Sequence, residues 1–283
     1  LSAAEADFTG QLALIATMHG KQAAFAGPLQ TLGFTVQTPE DFDTDRFGTF
    51  SGEVERAGDM LDAARAKARA AFLHAGGTAD WVIASEGAFG PSAALPMLAQ
   101  GRELVLAWRP VDDHEVVVTR ASFDTNFSHF DITPDRPQEA ELQAWLDRIG
   151  FPDHAIIVRD GNRSVKKGLK SAFAIGESIS AISGPIRLET DMRAHLNPTR
   201  MGQLSILGSI LAERLACPCP TCAQPGFGRA GVEPGLPCGA CGTPTELVLN
   251  EIWSCSACDH TQKRARTDGR TEAEPGECPA CNP

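Results

Sequence analysis

Over the first 210 residues, short apolar blocks alternate with longer stretches in which apolar positions recur every three or four residues. The first kind of pattern suits buried strands and the second amphipathic helices. Gln11 to Thr17 is one such block, ended by Met18-His19-Gly20-Lys21. From Lys21 to Leu32, Phe25, Leu29 and Leu32 keep helical spacing, interrupted at Gly27-Pro28, and Gly33 to Val36 starts a second strand. A strand, turn, helix and strand in this order is the building unit of α/β sheets.

The Ala-rich segment Asp59 to Ala75 contains no Gly or Pro and predicts a helix. Trp81 to Ser85 predicts a buried strand that ends at Glu86-Gly87. Leu104–Trp108 and Val116–Thr119 flank a turn at 110–114 and read as an antiparallel hairpin, which makes the sheet mixed. Further on, the pattern predicts a helix over 139–149, a strand over 155–159, a helical stretch over 167–173 and a strand over 186–189. Asn197-Pro198 has the chemistry of a helix start, and Leu204, Leu207, Leu211 and Leu215 share one face of the helix that follows. The expected fold is therefore α/β, a mixed sheet with flanking helices over residues 1–212, joined to a small cysteine module over 213–283.

Composition narrows the function classes. With 42% hydrophobic and 22% charged residues in 283, the chain has ordinary globular make-up. No run approaches the ~18 apolar residues of a membrane span, and no basic segment leads into an apolar run at the N-terminus. A cytoplasmic protein is expected. The net charge of −11 argues against nucleic acid as a general partner, since that affinity comes from neutralising phosphates with Lys and Arg. It leaves room for a nucleotide or another phosphorylated small molecule in a local basic pocket, and a homodimer stays open.

Eight of the nine cysteines form four Cys-x-x-Cys knuckles: Cys219/Cys222, Cys238/Cys241, Cys255/Cys258 and Cys278/Cys281. In a reducing compartment such pairs stay thiols and bind metal, and four knuckles make two closed tetrahedral zinc sites. A closed four-thiolate site has no position for water, so the two zinc ions are expected to be structural. Three pairings are possible. The apolar runs at 246–249 and 252–253, split by Asn250-Glu251, read as a hairpin between the second and third knuckles, which favours a zinc ribbon there and a nested pairing of the first with the fourth. Sequential pairing is the rival. Cys217 is left over and reads as a small buried residue. The tail carries six basic and nine acidic residues, a poor balance for nucleic acid.

At the other end, a strand-to-helix turn offers free amides and a positive helix terminus, so Thr17, Gly20 and Lys21 are candidates to hold phosphate oxygens. Glu53 or Glu55, ahead of the Ala-rich helix, and Glu86, after a buried strand, are candidates to share Mg²⁺ with a substrate phosphate. A carboxylate at Glu86 carries a desolvation cost unless something binds it.

The segments Ala16-Thr17-Met18-His19-Gly20-Lys21, Gly52-Glu53-Val54-Glu55-Arg56-Ala57-Gly58 and Trp81 to Ala88 resemble, in kind and order, those of the inosine/xanthosine triphosphatases, the house-cleaning nucleotide pyrophosphatases. The resemblance covers roughly residues 11–120. It implies a nucleotide-pyrophosphatase-like fold with a nucleoside triphosphate in a cleft, Lys21 on the phosphates, Glu55 or Glu53 with Glu86 on Mg²⁺, and water attacking the α–β phosphoanhydride. Met18-His19 stands where that family has an Asn-rich turn, and the cysteine tail is foreign to it. The whole chain looks more like an uncharacterised bacterial family that joins such a domain to cysteine knuckles. The alternative is a non-catalytic binding or regulatory protein whose zinc ribbon contacts another protein.

Overall fold

The structure is a computed structural model of the 283-residue chain and describes residues 6–47, 58–132, 138–161 and 163–283. Glu53 and Glu55, both expected at a metal site, lie outside the described residues. The chain divides into two units, one of residues 8–113 and 117–212, the other of 1–7, 114–116 and 213–283. No helix among the described residues is long and apolar enough to cross a membrane.

The larger unit is α/β. Its first sheet has the order β2-β1-β3-β4-β5, with β1 (Leu12–Ile15), β2 (Thr35–Gln37), β3 (Trp81–Pro91), β4 (Ala99–Arg109) and β5 (His114–Ser122). β1 runs parallel to both neighbours, while β3 and β4 are antiparallel, so the sheet is mixed. The helix α1 (Gln22–Thr31) connects β1 to β2 on one side, and α2 (Met60–His74) crosses back to β3 on the other. Right-handed crossovers in opposite directions put the two helices on opposite faces of the sheet.

The α2 face is built from small residues. Ala64, Ala68 and Ala71 of the helix pack on Leu14, Val82, Ala84 and Leu106, so helix and sheet approach closely. Asp59 caps this helix, its Oδ1 accepting the amides of Leu61 at 2.8 Å and Asp62 at 2.9 Å. The expected break at Gly27-Pro28 does not occur, because α1 runs through Pro28. Proline removes the amide that would bond the Ala24 carbonyl. The helix α5 (Pro198–Ala216) crosses α1 there, with Gly208 against Ala24 and Phe25, where a Cβ would collide with that carbonyl.

A second, antiparallel sheet has the order β6-β9-β7-β8, from β6 (His129–Ile132), β7 (Ile156–Asp160), β8 (Arg163–Leu169) and β9 (Ile186–Thr190). Trp145, Leu146 and Ile149 of α3 (Glu139–Ile149) and Ile175 of α4 (Ala172–Ser180) close its core with Ile156, Val158 and Leu188. The helical stretch expected over 167–173 is corrected here. Residues up to Leu169 pair with β7, Gly168 takes a positive φ of 72°, and the helix begins only at Ala172.

In the smaller unit the three-stranded sheet β10-β11-β12 joins β10 (Gly228–Pro234), β11 (Val248–Ser254) and β12 (Thr261–Ala265). The hairpin expected around Asn250-Glu251 is instead one continuous central strand. Asn250 faces Glu233 on one side and Ala265 on the other, and its Nδ2 donates to Glu233 at 2.7 Å. The flanking linkers, one rich in Gly and Pro and the other polar, supply the edge strands.

Candidate functional site

Each knuckle is a tight turn that aims two sulfurs the same way. Backbone bonds such as Ala223 N to Cys219 O at 2.9 Å and Gly242 N to Cys238 O at 2.8 Å close the turns. Amides also point at sulfur, as from Thr221 to Cys219 Sγ at 3.4 Å and from Ala257 to Cys255 Sγ at 3.2 Å. The sulfurs collect into two tetrads, Cys219, Cys222, Cys255 and Cys258, and Cys238, Cys241, Cys278 and Cys281, with the ligand atoms of each within 4.8 Å of one another.

Neither the nested nor the sequential pairing occurs. The first knuckle joins the third and the second joins the fourth, so the two sites interleave along the chain. The physical reason is the sheet: β11, which carries the third knuckle at its end, pairs with β10, which starts just after the first. The second and fourth meet through a bridge between Cys238 and Ala273 and the bond from Ala273 N to Pro237 O at 2.8 Å. A repeat in the sequence spoke against the sequential pairing alone: the first two knuckles are both Pro-Cys-x-x-Cys-x-x-Pro, at 218–225 and 237–244, with matching Pro–Pro bridges.

Four thiolates at about 2.3 Å from a zinc ion stand about 3.8 Å apart. The sulfurs of Cys219 and Cys258 lie 3.8 Å apart and those of Cys222 and Cys255 3.6 Å. The corresponding distances are 3.9 Å for Cys238 and Cys281 and 3.7 Å for Cys241 and Cys278. A disulfide needs about 2.05 Å. The two tetrads fit zinc binding in number, distance and donor type. Four thiols held this closely compete for charge. The Thr243 hydroxyl, donating to the thiolate, brings Cys241 down to about 6, while hydrogen bonds with Cys241 and Cys238 push Cys281 up to about 12. A divalent cation removes that conflict by stabilising all four thiolates.

In the α/β unit, β1 ends at Ile15 opposite Ile83 while β3 continues to Pro91. Glu86 thus sits inside a long strand, not at its end as the sequence suggested, because β3 and β4 pair all the way to Pro91 and Ala99. Beyond the end of β1 lies the point where the two crossovers part, the usual ligand position in open α/β sheets, and the cavity beside it is lined by the segments after β1 and β2 and by no residue of β3. Thr17, Gly20, Lys21 and Glu86 are all brought to this end.

Five ionisable side chains are buried around it. On the α2 face Glu86 pairs with Lys67, which also donates to the Ser85 carbonyl at 3.3 Å. On the opposite face Arg200 grips Glu103 through Nε to Oε1 at 2.6 Å and Nη2 to Oε2 at 3.2 Å, and donates to the Met192 carbonyl. Gly87 makes room for this pair, since a Cβ there would lie 2.6 Å from both partners. Lys21, only 7% exposed, reaches the hydroxyl of Ser85 at 3.1 Å and its carbonyl at 3.3 Å. Burial first, then the neighbouring Arg200 and Lys67, lower Lys21 to about 7. Lys67 and Glu103 escaped the sequence reading because an Ala-rich helix and a hairpin gave no hint of chemistry, whereas the segment 191–200, with Arg200, read as helix-capping and salt-bridging and as an alternative contact for a base or phosphate.

The magnesium expectation at Glu86 meets a different arrangement, a carboxylate answered by a lysine. The nearby segment 191–200 makes mainly structural bonds. Arg193 pairs with Asp191 at 2.6 Å, Asn197 Oδ1 caps α5 by accepting the Arg200 amide at 3.0 Å, and Arg200 is in the buried pair. His195 reaches the turn, its ring stacked on His19 with centroids 5.0 Å apart. Burial, then His19 and Arg193, hold its pKa low.

The fold and sites define a protein with an α/β unit and twin four-cysteine clusters that fit metal binding. Residues 73–283 match the model of a family described as a domain of unknown function, DUF6671, and the chain belongs to that family. The matched region holds all eight paired cysteines, Glu86, Glu103 and Arg200, whereas Thr17, Gly20, Lys21 and Lys67 precede it. No curated protein and no solved structure matches the chain.

Proposed function

We propose that the α/β unit, taken as residues 1–212, binds a phosphorylated small molecule at the carboxyl ends of β1 and β3. In this reading a module over 213–283 holds two structural zinc ions in a cytoplasmic protein. The observation that carries it is the make-up of the buried cluster: among the described residues three basic side chains, Lys21, Lys67 and Arg200, stand against two carboxylates, Glu86 and Glu103, and Lys21, the one paired with neither carboxylate, is lowered to about 7. Uncompensated buried charge is costly. An anion at the α1 terminus would offset the third cation and restore Lys21 to its charged form, while the first-turn amides take the phosphate oxygens.

The resemblance in sequence supports a nucleotide as that ligand and a nucleotide-pyrophosphatase-like fold, with Mg²⁺-dependent hydrolysis of the α–β phosphoanhydride as the reaction. Lys21 would then hold the phosphates electrostatically. Glu86 would turn from Lys67 toward Mg²⁺, joined by Glu53 or Glu55. A bound magnesium ion would polarise phosphoryl oxygens. The Lys67–Glu86 pair favours a second reading, a binding protein without catalysis, because it occupies the carboxylate that hydrolysis needs.

Pyrophosphate release from normal and deaminated nucleoside triphosphates, with and without Mg²⁺, separates the two. The enzymatic reading expects release that is lost in Glu86→Gln and Lys21→Ala. Ligand binding with no turnover for any nucleotide would favour the second reading.

A further inference from the structure

We infer that the second tetrad is a reversible peroxide-sensitive site: Cys241 and Cys281 join in a disulfide and release its zinc ion, while the first tetrad keeps its own; this rests on the zinc reading above. The two tetrads share donors and spacing but differ in exposure. In the first, Cys219 is 2% exposed, and Cys222, Cys255 and Cys258 are half-buried. In the second, Cys238 and Cys278 are buried, whereas Cys241 and Cys281, the last cysteine of each knuckle, stand exposed. All four sulfurs of this tetrad lie within 4.8 Å of one another, so the two exposed ones are neighbours.

Hydrogen bonding separates the tetrads as well. The Thr221 and Ala257 amides donate to Cys219 and Cys255 in the first. In the second, Cys241 takes the Thr243 hydroxyl at 3.3 Å, while Cys281, among the described residues, meets only the sulfurs of its own tetrad. Donors that stabilise a thiolate lower its nucleophilicity, so Cys281 is the attacking sulfur and Cys241 its partner. Cys281 attacks one peroxide oxygen, the O–O bond breaks, and the departing hydroxide takes a proton to become water. The Cys241 thiolate then attacks the sulfenic sulfur: the S–S bond forms, the S–O bond breaks, and a second proton carries that oxygen off as water. Two thiolates have lost two electrons to one peroxide, and zinc, left with two ligands, departs. The new bond joins the same two knuckles that the metal joined, which holds the site ready for reduction and reloading. Over 267–283, four acidic residues stand against Arg270, and with the charge of the site itself they disfavour an anionic oxidant and leave a neutral one such as hydrogen peroxide.

The test is treatment of the reduced, zinc-loaded full chain with hydrogen peroxide, read by released zinc and by peptide mapping of disulfides. One zinc ion is expected to leave about tenfold faster than the other, as exposure governs thiol oxidation. Cys241 should be found joined to Cys281, and a thiol reductant with added zinc should restore the site. The double variant Cys222→Ser, Cys255→Ser lacks the first site, and its remaining ion should leave at least as fast as the labile ion of wild type. The double variant Cys241→Ser, Cys281→Ser lacks the second, and its remaining ion should resist peroxide. Equal release of both ions, faster release from the first tetrad, or a disulfide between other cysteines would overturn the redox inference alone. A reduced wild type that binds no zinc would overturn the zinc reading beneath it.

Discussion

At the scale of single residues, the clearest physical statement is made by Lys21. Its folded pKa of about 7 lies below the ordinary lysine value of 10.5, so above pH 7 the unfolded chain binds the proton more readily than the folded one. Stability from this group therefore rises as pH increases from about 7 to 10.5, with a slope approaching about 1.4 kcal/mol for each pH unit inside that window. Lys21→Met should stabilise the ligand-free α/β unit at pH 7, seen as a higher Tm, and flatten its pH dependence over that window. Phosphate binding at pH 8 should take up close to one proton in wild type and none in the variant, measured by calorimetry in buffers of different ionisation enthalpy. Glu86→Gln makes the opposite case: it leaves Lys67 buried without its carboxylate and should cost about 3–5 kcal/mol in denaturant unfolding. The double variant Lys67→Met, Glu86→Gln should recover most of that loss. Glu86 was legible as a residue needing a partner, from its place after an apolar strand. That the partner is Lys67 was not legible, since which residue of an Ala-rich helix meets β3 is set by packing between distant segments.

Among elements, local chemistry was readable wherever it was decided locally. The Asn197-Pro198 start of α5, the α2 helix and the β4–β5 hairpin follow from capping, propensity and turn chemistry close in sequence. Elements whose strand character comes from the partner they pair with, and not from their own apolar pattern, were misread. β8 pairs with β7, and β10 and β12 become strands because β11 lies between them, although their own residues are Gly-rich or polar. The cysteine pairing belongs to the same class, for the knuckles were plain in the sequence while their pairing depends on that small sheet. Each metal site now closes a loop that contains a knuckle of the other. Loss of one ion should therefore loosen the other site without abolishing it. Titration with a chelator, monitored by released zinc and by Trp253 fluorescence, is expected to remove the second ion more readily than the first, and fully independent release would contradict that coupling.

For the whole molecule, the units rest on different forces. The α/β unit has extensive apolar cores of its own, whereas the module of residues 213–283 has fewer buried apolar side chains among its described residues and two cysteine tetrads that fit zinc. Chelation should make the tail protease-sensitive and leave the α/β unit resistant. Acid should act alike, because thiolates must be deprotonated to hold zinc: metal retention is expected to fall as pH drops below neutrality. The most direct test of the central claim, two interleaved four-thiolate zinc sites, is metal analysis of the reduced full chain beside the double variant Cys222→Ser, Cys255→Ser. These cysteines share one site here but belong to different sites in either other pairing. Two zinc ions in wild type and one in the double variant is the predicted result; a metal-free wild type, or a variant that loses both ions while its remaining tetrad is folded, would contradict it.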